Sequence, residues 1–145
     1  MKKKTVAILL AASASYFSYA APTTQVVEKP NFVCVADSIA GLRAGEKWAP
    51  ANFNPQQIKL VVKPLSDELA AIGKGSTHGV FQIGADLPDH YCVYEDEHWI
   101  VCPGTIGSFH MDSRSGRFAK YVAGSYVYGV ELMDAYIAVG KCTKL

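Results

Sequence analysis

The sequence predicts a mainly β domain: a small antiparallel barrel or strongly curled sheet of about seven or eight strands, with one short helix and two disulfides. Three observations predict it. Short β-branched and aromatic runs are separated by turns bearing Gly, Pro and Ser; no long helical periodicity lies between them; and four cysteines sit in a chain whose first residues read as an export signal.

That signal comes first in the chain. Met1-Lys2-Lys3-Lys4 is a basic start, Val6 to Ala12 an apolar core too short to span a bilayer, and Ser18-Tyr19-Ala20 a small-x-small cleavage site. Cleavage after Ala20 leaves no membrane anchor, since no later run has the roughly 18 apolar residues a span needs, and no Cys stands at the cut to carry a lipid. Losing Lys2, Lys3 and Lys4 turns 14 basic against 13 acidic residues into 11 against 13, about −2. A chain so near neutrality, its lysines Lys59, Lys63, Lys120, Lys141 and Lys144 scattered singly, has no electrostatic footprint for nucleic acid. These lysines read as a solvated face.

Residues 21–31 are polar, carry Pro22 and Pro30, and read as a flexible lead-in to a single domain over 32–145. Phe32 to Ala36 (FVCVA) is the first strand. A loop with Gly41, Gly45 and Pro50 follows, and its Trp48 and Phe53 are expected to cover one end of the core. Ile58 to Lys63 is β-branched and closes at Pro64, which cannot continue a ladder. Pro64 to Ile72 is the one helical segment, with Ser66 as N-cap, Gly73 as stop and Leu65, Leu69 and Ile72 as an apolar stripe against the sheet or one barrel mouth. Val80 to Gly84 is the next strand.

Tyr91 to Cys102 (YCVYEDEHWIVC) is a hairpin candidate, with two strand-like runs flanking a polar tip. Cys34, Cys92, Cys102 and Cys142 allow three disulfide connectivities. A pairing axis through Glu97 sets Cys92 opposite Cys102, within reach of a disulfide, and leaves Cys34 to Cys142 to tie the first strand to the last. Zinc is disfavoured because no pair of cysteines has the spacing of a metal knuckle, and His78, His90, His98 and His110 have no metal-type spacing either.

Ser108 to Asp112 forms a second hairpin with the segment after Ser113-Arg114-Ser115-Gly116. A four-residue turn pairs Asp112 with Arg117 as an ion pair and Met111 with Phe118 as an apolar pair, pointing Phe109, Met111, Phe118 and Val122 inward. A three-residue loop with a bulge is the alternative. Arg117 to Tyr128 reads as one long strand bent at Gly124, and Ala135 to Val139 leads to Cys142.

Three constellations invite a chemical reading. Ser108, His110 and Asp112 share a strand face as a hydrolase triad would. Same-face neighbours on a strand stand about 7 Å apart, so direct contact is not expected and no catalytic residue is assigned; a small hydrolase using this face is the last-ranked alternative. Glu95, Asp96 and Glu97 beside His98 form an acidic tip that solubility alone explains. Tyr121, Tyr126, Tyr128 and Tyr136 fall on the last two strands, and exposed Tyr on a rigid sheet suits contact with a protein or glycan.

The run GSFHMDSRSGRFAKYVAGSYVYG with AYIAVGKC resembles the carboxy-terminal half of a group of small exported proteins of Gram-negative bacteria. Phe109, Arg117, Phe118, Tyr121, Ile137, Gly140, Lys141 and Cys142 match their pattern, which brings no activity with it. More weakly, the chain resembles the periplasmic lysozyme inhibitors of the MliC/PliC type, exported disulfide-containing barrels. Ser115, Gly116 and Tyr121 stand nearest their inhibitory Ser-Gly and Tyr, with a different spacing and no clean match to their later Lys-Gly element. Together these readings give a non-catalytic, cofactor-free binding module of the periplasm or the outside of the cell, with no nucleic-acid partner. Its partner would be a protein or glycan of the envelope, met by Tyr121, Tyr126, Tyr128, Ser115 and Gly116. Lysozyme or other hydrolase inhibition is the alternative that the second resemblance implies.

Overall fold

A computed structural model describes residues 30–145. The signal at 1–20 and the lead-in as far as residue 29 lie outside the described residues. The elements are β1 (Phe32–Arg43), β2 (Ala49–Asn52), β3 (Lys59–Pro64), α1 (Asp67–Ile72), β4 (His78–Gln82), β5 (His90–Tyr94), β6 (Trp99–Cys102), β7 (Gly107–Asp112), β8 (Arg117–Val122), α2 (Gly124–Val127) and β9 (Ala135–Lys144).

All neighbouring strands are antiparallel. The order runs β2-β1-β3-β4-β5-β6-β7-β8-β9, and β9 returns to β1, closing an eight-stranded barrel with β2 as one extra strand. Closure removes the edges that a curled sheet would expose. β1 makes this possible by its length. Its first residues pair with β3, its last with β2, and nearly its whole length with β9, with a bulge between Ala36 and Ser38 where the strand bends. Near its end β1 passes so close to β9 that a side chain at Gly41 would strike the carbonyl of Ala135.

The expected loop over 37–50 is therefore mostly strand. Gly41 lies inside β1, and Pro50 sits in β2, on the outer side of the sheet, where a missing N–H costs no ladder bond. The helix is capped as read, Ser66 Oγ accepting from the Leu69 N–H at 3.4 Å and Gly73 capping the end, but it begins at Asp67 rather than Pro64, which is the last residue of β3 and stands opposite His78. Its expected stripe is only partly used, because Leu65 and Leu69 are half-buried while Ile72 is exposed.

Period-2 alternation fills the barrel. Phe32, Cys34 and Ala36, Leu60 and Val62, Val80, Ile100, Phe109 and Met111, Phe118 and Ala138 form one buried cluster, in which the rings of Phe109 and Phe118 stack at 5.4 Å. Both disulfides run through it. Cys34 pairs with Cys142 across β1–β9, and Cys92 with Cys102 across β5–β6, whose pairing axis passes through Glu97. The β7–β8 register is the four-residue-turn one, Asp112 opposite Arg117 and Met111 opposite Phe118. The ion pair formed by Asp112, however, is with Arg114 inside the turn, at 3.6 Å.

Two expectations fail after Phe118. β8 stops at Val122, and residues 124–127 turn into a short helix, so Tyr126 and Tyr128 stand on a helical turn rather than a strand face. Lys120 is buried inside the barrel rather than solvated. Alternation requires it: Lys120 lies between inward Phe118 and Val122, two residues from each.

Candidate binding site

One mouth of the barrel is framed by three segments, the β1–β2 connection, the β6–β7 connection and the chain from α2 to β9. Each is pinned to the others. The N–H groups of Ala123 and Gly124 both donate to Ile106 O, Asp134 Oδ1 accepts from Ala44 N–H at 2.9 Å, and Trp48 meets the Tyr126 ring edge-on at 5.2 Å. Gly124 is required here, because a side chain would enter Ile106. The lip these contacts hold is apolar and wet: Tyr126 and Tyr128 are 52% and 66% exposed, and Val127, Val130, Leu132 and Met133 are exposed as well.

Beneath the lip lies a cavity of about 630 Å³, within the range of small-molecule sites. Its floor is polar. Lys120 Nζ meets Asp89 Oδ2 at 3.2 Å, with the lysine side chain 5% exposed and the aspartate 32%, and Gln82 Nε2 donates to the same oxygen at 3.3 Å. His90 lines the cavity beside them, held below its ordinary pKa by burial first and by the Lys120 charge second. Tyr136 closes the side, its hydroxyl pushed above the usual range by burial and then by Asp89. Glu131, exposed, and Asp134, half-buried with its Oδ1 on the Ala44 N–H, line the cavity as well.

Tyr121 is apart from this lip, on the outer wall of β8. It stacks on His110 at 6.2 Å and is opposite Ser108. There the structure corrects the distance expected within the Ser108, His110 and Asp112 set, because His110 Nε2 reaches Ser108 Oγ at 2.8 Å. The long imidazole leans along the strand and spans the gap between the two Cα positions. Ser108 is nevertheless 4% exposed, and Asp112 is turned to the Arg114 backbone N–H at 3.0 Å rather than toward the imidazole. A shallow groove beside them is lined by Trp99, His110, Asp112, Ser115 and Arg117.

Ser115 and Gly116 belong to the tight β7–β8 turn. Gly116 adopts φ +66°, its N–H donates to Asp112 O at 2.9 Å, and its carbonyl accepts from Cys142 N–H at 2.6 Å, so the turn is tied down to β9. The acidic tip is organised by Asp96, whose Oδ1 accepts from the N–H groups of His98 and Trp99 at 2.7 and 2.8 Å, holding its carboxyl below the usual range. Among the described residues no group of three or more His, Cys, Asp or Glu side chains is placed to hold a metal ion, and no helix is long and apolar enough to cross a membrane. The opposite mouth is lined by Phe32, Thr77, His78 and Tyr94, with Thr77 Oγ1 and His78 Nδ1 3.0 Å apart.

Of the sequence-predicted contact residues, the structure thus brings together Tyr126 and Tyr128, and places Tyr121 on a wall and Ser115 and Gly116 in a turn. The residues that reading along the sequence missed are Lys120, Asp89 and His90. Alternation would have found two of them, since His90 shares the inward parity of Cys92 and Lys120 that of Phe118. No family model, curated protein or solved structure matches the chain.

Proposed function

We propose that this chain is an exported, non-catalytic binding domain of the periplasm or the outside of the cell. Its contact surface in this reading is the lip carrying Tyr126 and Tyr128. Compartment is supported at the coarse level by the two disulfides, which belong to an oxidising environment, and at the finer level by the basic-apolar-small pattern over residues 1–20.

The observation that carries the reading is the set of exposed apolar side chains Tyr126, Val127, Tyr128, Val130, Leu132 and Met133 on a lip pinned by Trp48, Ile106 and Ala44. Aromatic side chains on a rigid support bury large area at small entropic cost, which is the make-up of interface hot spots. The partner is a protein or glycan of the envelope. Absence of catalysis is supported by the burial of Ser108 and by the engagement of Asp112 with Arg114. Chemical crosslinking in intact cells, followed by capture of the mature protein and of the Tyr126→Ala/Tyr128→Ala variant, tests this. One crosslinked species lost from the variant is the expected result. Equal crosslinking of both would make the tyrosines merely structural.

Inhibition of lysozyme, the alternative implied by resemblance, asks the Ser115-Gly116 turn to enter an enzyme cleft. With Gly116 bonded to both Asp112 and Cys142, the turn has little reach. Lysis by c-type and g-type lysozymes is expected to be unchanged at micromolar protein, and inhibition abolished by Ser115→Ala would reverse the ranking.

A further inference from the structure

We propose that the cavity under the lip binds a small amphiphilic zwitterion, a molecule with a carboxylate and an ammonium group separated by an apolar spacer. The carboxylate sits on Lys120, the ammonium between Glu131 and Asp134, and the spacer against Ile106, Val122, Leu132 and Met133. The proposal names a ligand of the mouth already described and so rests on that reading.

The floor supplies the first half of the argument. An ammonium group has three N–H donors. Asp89 accepts from Lys120 at 3.2 Å, and the lysine side chain, 5% exposed, is one of those lining the cavity. Buried donors need acceptors, and a ligand carboxylate offers them in charge-assisted form.

The rim supplies the second half. The lining carries three carboxylates, Asp89, Glu131 and Asp134, against the single lysine Lys120, with the His90 pKa lowered by burial and then by Lys120. That excess of negative charge repels a simple carboxylate at the opening. A simple amine is drawn in by the rim yet leaves the donors of Lys120 unmatched. A zwitterion satisfies both ends, and its charges lie at different depths, as Lys120 and the exposed Glu131 do.

Methyl-detected NMR titration of the mature chain with 6-aminohexanoate, hexylammonium and hexanoate tests the assignment. Methyl signals of Ile106, Val122, Leu132 and Met133 are expected to move in millimolar 6-aminohexanoate. The zwitterion should bind about tenfold or more tighter than hexylammonium, the worth of one charge-assisted bond, and hexanoate weakest of all. Lys120→Met should erase the preference for the zwitterion over the amine, and Glu131→Gln should weaken both alike. Equal binding of the zwitterion and the amine by the wild type, equal binding of hexanoate, or unmoved methyl signals in all three would each overturn the proposal. The wild-type panel decides the matter even if Lys120→Met fails to fold. Crosslinking lost on Tyr126→Ala/Tyr128→Ala together with silent titrations would retain the lip as a contact surface and remove the small ligand.

Discussion

Removing the two disulfides one at a time should destabilise the barrel by different amounts, because they close loops of very different length. Cys34 and Cys142 are separated by 108 positions, Cys92 and Cys102 by 10. On the loop-entropy model the long bridge contributes about 4.8 kcal/mol and the short one about 2.7 kcal/mol. All four sulfurs lie in the same buried interior and each pair bridges directly opposed residues. Replacing either pair by Ala therefore leaves a similar small void, and the difference of about 2 kcal/mol between the variants isolates loop length. Ala is preferred to Ser, which would bury a hydroxyl without a partner.

Equilibrium urea unfolding of the wild type and of the variants Cys34→Ala/Cys142→Ala and Cys92→Ala/Cys102→Ala reads both losses. The first is comparable to the whole stability of a small domain, about 5–15 kcal/mol, and should leave a chain that melts near or below physiological temperature. Equal losses, or the larger loss from the Cys92 and Cys102 pair, would refute the entropic account. Native mass spectrometry showing four free thiols would remove its premise.

Three further expectations concern charge. Asp89→Asn should cost about 2–3 kcal/mol and Lys120→Met under about 1 kcal/mol in thermal melts, because the first takes the counter-charge from a lysine that is 5% exposed and the second leaves a carboxylate that is 32% exposed; equal costs would contradict it. His90 is held below its ordinary pKa by burial and by Lys120. Its contribution to stability is therefore complete above about pH 6.5 and is lost as pH falls from there through its folded value, by at most about 1.4 kcal/mol per pH unit and less where mouth water screens it. His90→Gln should flatten that limb while the lowered carboxyls of Asp96 and Asp112 leave a separate one below about pH 4. Arg117 stands directly opposite Lys141 on the outer wall, a like-charge pair that costs stability. Lys141→Glu should gain about 0.5 kcal/mol in urea unfolding, and a loss would show that these cations do not interact.

Reading along the sequence recovers what local rules determine. The hairpin axis at Glu97, the turn pairing Asp112 with Arg117, the cap at Ser66 and the Cys92–Cys102 bridge follow from alternation, turn length and spacing of a few residues, and Cys34–Cys142 then follows by elimination. What it misses arises where a tertiary contact overrides the local preference. Tyr126 and Tyr128 carry β-type side chains in a β-type run, yet the Ala123 and Gly124 N–H groups find their acceptor in Ile106 O and the chain turns helical there. Gly41 and Pro50 read as loop because nothing local announces that β9 will lie against β1 for ten paired positions, leaving room for no side chain at Gly41.

The mouth cluster is the instructive case, since its inward parity was legible while its composition argued against burial. A lysine between Phe118 and Val122 satisfies alternation and violates polarity, and only Asp89, 31 positions away, makes the placement tolerable. A fold needing that position merely filled would do better with an apolar residue, because a buried ion pair rarely outperforms well-packed hydrocarbon. The placing of Lys120 inside a barrel already closed by two covalent bridges is therefore not explained by stability alone, and the zwitterion titration of the cavity it floors is the measurement that tests the proposed use.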